Sequence, residues 1–102
     1  MIKIQYIHEH DNILGSLLRK AFNQANLEGY QTEIIPITDE LAEQHNLTTW
    51  HTVLFLDKSG NELTREEHSF TTSSLENELQ VAKGILANRQ KQAGWVKEGE
   101  SL

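Results

Sequence analysis

Five histidines, His8, His10, His45, His51 and His68, are the residues of this chain best suited to chemistry near neutral pH, and no cysteine accompanies them. A free imidazole titrates near pH ~6.5, so it exchanges a proton or lends a lone pair to a metal under ordinary conditions. Without cysteine the chain has no disulfide, no thiolate metal ligand and no thiol nucleophile. Ser16, Ser59 and Ser69 stand outside any Gly-x-Ser-x-Gly context, so a hydroxyl nucleophile lacks the sharp turn that presents it. Glu62, Glu66 and Glu67 form a local acidic group that reads as a solvated strand edge, where like charges discourage pairing with another sheet.

The bulk composition narrows the classes further. The chain has 102 residues, enough for one core and too few for two. Hydrophobic residues make up 37% and charged residues 24%, a balance that suits a folded domain without a metal or disulfide staple. Nine basic residues against fifteen acidic ones leave a formal charge of −6, and the densest basic group is only Arg89 with Lys91. A nucleic-acid binder needs clustered Lys and Arg to neutralise phosphates, so that class is excluded as an expectation. No run approaches the roughly 20 apolar residues of a membrane span. The opening residues Met1 to Tyr6 read as a strand and not as a secretory leader, so the expected location is the cytoplasm.

The elements that must carry these residues follow from periodicity. Ile2, Ile4 and Tyr6 alternate, with Ile7 on the opposite face, as in a strand covered on both sides. Asp11 and Asn12 can each cap a helix, and Ile13, Leu14, Leu17, Leu18, Ala21, Phe22 and Ala25 then recur at helical spacing. Gly29 is a left-handed stop. Residues 30–37 form a second strand, in which Pro36 must lie near an end or an edge. Thr38 and Asp39 open a short helix through His45, with Asn46 as its left-handed cap.

Val53 to Leu56, a turn over Asp57 to Asn61, and Glu62 to Thr64 make a hairpin. The last helix begins at Thr71 to Ser74 with capping-box spacing between Ser73 and Glu76, followed by a stripe of Leu75, Leu79, Ala82 and Leu86. Residues 1–90 are expected to form the domain, and 91–102 a flexible C-terminal tail with Trp95 as its large apolar residue. The order β-α-β-α-β-β-α predicts an α/β fold: a mixed four-stranded sheet with helices on both faces.

That order resembles the thioredoxin fold over residues 2–88. The resemblance is carried best by the segment from Leu41 through Asn46, Trp50, His51, Thr52 and Val53 to Gly60, a short helix, a turn, a bridge, an apolar strand and a glycine turn. It implies a thioredoxin-like superfamily member that lacks the Cys-x-x-Cys motif of that family. The stretch corresponding to the motif is Asp11-Asn12-Ile13-Leu14, and no nucleophile remains there. His51 falls where the family carries its cis-proline, and Thr52 after it is kept. A cis bond before a non-proline residue costs about 3–4 kcal/mol, so the Trp50–His51 bond is expected to be trans. Gln5 takes the position of the family's buried acid, which removes the proton-transfer role from that site.

These departures predict a redox-inactive domain that binds another protein, as an adaptor or folding helper, with no cofactor and no catalytic residue. The expected contact face is His10, Asp11, Asn12, Ile13, Trp50 and His51, where the resemblance implies that polypeptides are met. Trp50 is its anchor candidate, since an exposed indole buries a large area at low entropic cost, and packing inward on Leu14 or Leu17 is its equal alternative. A different class remains open: a metal- or small-ligand-binding protein, or a non-thiol enzyme, using His10, Asp11 and His51, although no known metal motif is matched. A third is a structural subunit that dimerises.

Overall fold

The structure, a computed structural model, describes residues 2–8, 13–49 and 51–101, with side chains as far as Arg89. Its elements run β1 (Lys3–His8), α1 (Ile13–Gln24), β2 (Gln31–Pro36), α2 (Asp39–Gln44), β3 (His51–Leu56), β4 (Glu62–Glu67) and α3 (Thr72–Ser101). The sheet order is β2-β1-β3-β4, with β1 parallel to β2 and antiparallel to β3, and β4 antiparallel to β3. This is the expected mixed four-stranded sheet.

Side-chain alternation divides the two inner strands between two cores. Ile4 and Tyr6 of β1 and Val53 and Phe55 of β3 point to one face, where they meet Leu18 and Phe22 of α1 and Leu75, Leu79 and Ala82 of α3. Ile7, Leu54 and Leu56 point to the other, against Ile35, Ile37 and Leu47 on the side of α2. Each large apolar side chain withdrawn from water contributes about 1.5–3 kcal/mol, so the larger cluster holds most of the stability. All six residues of β3 are buried, which matches a central strand covered on both sides.

The punctuation follows the residue chemistry. Gly29 and Gly60 take φ of 88°, a backbone state that costs a residue with a Cβ and costs glycine little. Asn46 turns the chain at φ 51° after α2, and the Thr38 hydroxyl accepts from the Leu41 N–H at 3.2 Å at its start. Pro36 closes the edge strand β2, where its missing N–H breaks no ladder. Arg65 of β4 donates to the His45 carbonyl at 2.6 Å and is clamped between Glu62 and Glu67, tying the end of α2 to the sheet.

Two expectations are corrected. The box at the start of α3 is Thr71 with Ser74, not Ser73 with Glu76: the Thr71 hydroxyl accepts from the Ser74 N–H at 3.1 Å, and the Ser74 hydroxyl accepts from the Thr71 N–H at 2.8 Å. Glu76 instead accepts from the Asn26 N–H at 2.7 Å and joins α3 to the end of α1.

The apolar stripe of α1 also splits. Leu18 and Phe22 are buried, while Ile13, Leu14 and Leu17 are 84%, 46% and 60% exposed. At about 100° of rotation per residue, Ile13 and Leu17 lie well off the direction of Leu18 and Phe22. Leu14 shares that direction but sits in the first turn. The helical backbone of α3 continues into residues 91–101, the segment read from the sequence as a tail. No helix among the described residues is long and apolar enough to cross a membrane.

Candidate functional site

The C-terminal end of β1 and the first residue of β3 meet because the two strands are antiparallel in the register His8 opposite His51. Alternation turns both imidazoles to the α1 and α3 face of the sheet, the side of Tyr6 and Val53. Tyr6 lies beside both, fully buried, with ring centroids 5.6 Å from His8 and 6.2 Å from His51. Its far side packs edge-on against Phe70 at 5.2 Å and tilted against Phe22 at 5.6 Å. A phenol so enclosed needs a polar partner, and the Tyr6 hydroxyl lies 3.0 Å from Nδ1 of His51. Arg19 of α1 reaches Nε2 of His8 at 3.4 Å. A guanidinium has only hydrogens to give, so Nε2 of His8 is the acceptor in this contact.

Above this group lies an open depression of about 490 Å³ lined by Leu14, Thr48, Thr49, His51 and His68. The Thr49 hydroxyl accepts from the His51 N–H at 3.3 Å and so fixes the entry into β3. His68 follows β4 with φ 67°, a left-handed state for a residue with a Cβ. The exposed side chains of Ile13, Leu14 and Leu17 belong to the first turns of α1, and Leu14 joins them to the depression.

Of the face expected from the sequence, Ile13 is 84% exposed, more than any other large hydrophobic residue among those described, and His51 lines the depression while being only 5% exposed itself. His10, Asp11, Asn12 and Trp50 lie outside the described residues, and with them the three-residue metal arrangement and the Trp50–His51 bond. Among the described residues no peptide bond is cis, and no group of three or more His, Asp or Glu is placed to hold a metal. His45 ends α2, away from this site. The sequence reading left Tyr6, His8, Arg19, Leu17 and His68 out of the face. For His8 a signal existed, because Ile4, Tyr6 and His8 stand at alternate positions and share a face.

Chemically the site offers imidazoles, a phenol and hydroxyls beside an apolar rim, and no thiol. It can hydrogen-bond and bury apolar groups, and it cannot form a mixed disulfide.

No protein-family model and no curated protein sequence matches the chain. Solved structures do. Thioredoxin 1 from the thermophilic eubacterium Thermosipho africanus superposes with a TM-score of 0.63 at 24% identity, covering 83% of this chain and 98% of that one. Thioredoxin-2, a component of the malaria parasite protein secretion machinery, gives 0.61 at 14%, covering 78% and 82%. A further malarial protein gives 0.62 at 13%, covering 84% and 98%. The chain therefore has the thioredoxin fold in a form without cysteine and without a Cys-x-x-Cys motif.

Proposed function

We propose that this chain is a redox-inactive domain of thioredoxin fold that works in the cytoplasm by binding another protein, as an adaptor or folding helper. The observation that carries the reading is the group of three exposed aliphatic side chains, Ile13, Leu14 and Leu17, beside the open depression of about 490 Å³ at the entry of β3. Apolar side chains left in water on the first turns of a helix favour a covering surface, and the neighbouring Thr48, Thr49, His51 and His68 supply hydrogen-bonding groups at its rim. His10, Asp11, Asn12 and Trp50 complete the face in this reading.

The geometry selects the variant that tests it. His51 is buried against Tyr6, so its removal perturbs the core as well as any contact. Ile13→Glu with Leu17→Glu changes exposed residues only. Affinity capture from native lysate, read by mass spectrometry, is expected to lose a specific protein when the folded double variant replaces the wild type. An unchanged capture profile, or no specific capture by either form, overturns the reading.

A further inference from the structure

The other side of the sheet carries a second concavity. Helix α2 is six residues long, about 9 Å, and covers only the end of the sheet where Ile7, Ile35 and Leu54 pack with Leu47. Beside Lys3 and Gln5 the helix leaves a concavity. Its floor is Lys3 and Gln5 of β1 with Leu56 of β3, and its walls are α2 and the turn from Asp57 to Gly60. The resulting cleft has a volume of about 450 Å³, within the range of small-molecule sites.

The residue types on that floor are unusual for their place. β1 is an inner strand, flanked by β2 and β3, and its other side carries Ile4 and Tyr6 in the larger core, with His8 at the strand's end. Yet it presents a lysine and a glutamine inside the cleft.

The lining is rich in donors, and its carboxylate is already engaged. Lys3, Lys58 and the carboxamides of Gln5, Gln31 and Gln44 face a cleft whose one carboxylate is Asp57. That carboxylate is consumed within its own turn: Oδ1 accepts from the N–H groups of Ser59 and Asn61, each at 2.9 Å, and Oδ2 from the Asn61 amide at 3.4 Å. Glu33 of β2 holds the floor in position, taking Lys3 at 3.0 Å and the Gln5 amide at 2.5 Å on one oxygen. An ammonium has three hydrogens and a carboxamide two, so both keep donors for a ligand. Leu41 and Leu56 add an apolar wall.

From this arrangement we infer that the cleft binds a small hydroxylated organic anion, carboxylate or phosphate, with Lys3 and Lys58 taking the charge and the three glutamines the hydroxyl groups. Each carboxamide both donates and accepts, which is the pairing a polyhydroxylated molecule requires. Strand residues form the floor, so the site is held without a closing loop.

The test is a titration followed in ¹⁵N–¹H correlation spectra with gluconate and glucose 6-phosphate, beside acetate, inorganic phosphate and glucose. Saturable shifts confined to residues 57–60, α2 and the side-chain amides of Gln5, Gln31 and Gln44 are expected, with a dissociation constant below about 1 mM for at least one of the two organic anions. Whichever binds tighter names the anionic group. Lys58→Gln, at an exposed turn position, and Lys3→Met are each expected to weaken binding about tenfold, with the remaining amide spectrum unchanged. No saturation with either anion overturns the proposal, as does unchanged affinity in both variants. Equal binding of acetate or phosphate alone reduces the site to an adventitious ion and overturns the organic ligand. Equal binding of glucose overturns the role of the lysines.

Discussion

Thr52 offers a test of the packing argument that is independent of function. It lies on fully buried β3 between Ile7 of β1 and Glu67 of β4, with no exposed surface, and its hydroxyl oxygen has no hydrogen-bond partner. Folding has stripped water from that hydroxyl without replacing it, which costs about 1–3 kcal/mol. Thr52→Val keeps the branched shape and removes the unpaired group, while the added methyl buries further apolar area. The variant is therefore expected to be more stable by about 1 kcal/mol or more, a rise in Tm of roughly 4–8 °C for a domain of this size. Thr52→Ser is the control: it keeps the hydroxyl and opens a methyl-sized void, so it is expected to lower Tm. Thermal melts by circular dichroism with urea titration give both numbers. A fall in Tm for Thr52→Val, with the urea slope unchanged, would mean that the hydroxyl is worth more than the packing that replaces it and that its burial carries no penalty.

The remaining predictions concern other buried or titrating groups. Tyr6→Phe deletes the hydroxyl beside Nδ1 of His51 and is expected to cost about 1–2 kcal/mol, read in the same melts; an unchanged midpoint would show that this hydrogen bond contributes nothing. The Glu66 carboxyl is pushed above its ordinary value, chiefly by desolvation, with the Ser74 hydrogen bond opposing and nearby Glu78 adding to the rise. A raised carboxyl favours the folded state when protonated and loses that advantage as pH rises, so Glu66→Gln is expected to raise Tm at pH ~7 and to bring no gain at pH ~3. A gain that persists undiminished in acid would contradict this. Asp57 is held below its ordinary value, first by the Asn61 N–H and, against the opposing desolvation, by the Ser59 N–H, the Asn61 side chain and the charge of Arg89. Its contribution is present above the ordinary carboxylate range and lost as pH falls through the lowered value, so Asp57→Ala is expected to lower Tm at neutral pH and to match wild type near pH ~2.

What could be read in the chain without its structure was local. The alternation of Ile4 and Tyr6 against Ile7 already implied apolar packing on each face of the strand, which holds at Ile7 and not at Lys3 and Gln5, and Gly29, Asn46 and Pro36 mark turns through backbone sterics that each residue carries with it. The helix α1 shows where this stops. Seven apolar residues recur at helical spacing, yet Ile13 and Leu17 turn away from the core, because the width of the buried arc is set by how α3 and the sheet approach α1. The cap of α3 moved two residues for a related reason: Glu76 was taken by the Asn26 N–H, fifty residues earlier, and Ser74 served Thr71 in its place.

The candidate sites divide along the same line. His8 and His51 become neighbours only through the antiparallel register of β1 and β3, and Tyr6 becomes the partner of His51 only because that register places it one step inward on the same face. No spacing along the chain encodes this. Lys3 and Gln5 are the converse case, since alternation alone puts them with Ile7 on a face that a longer α2 would have required to be apolar. A lysine and a glutamine on an inner strand signal an uncovered sheet, and the shortness of α2, legible from Thr38 to Asn46, says which end is bare. The two faces of this domain thus owe their openings to different causes: on one, apolar helix residues outnumber the surface available to bury them, and on the other, the helix is too short for the sheet beneath it.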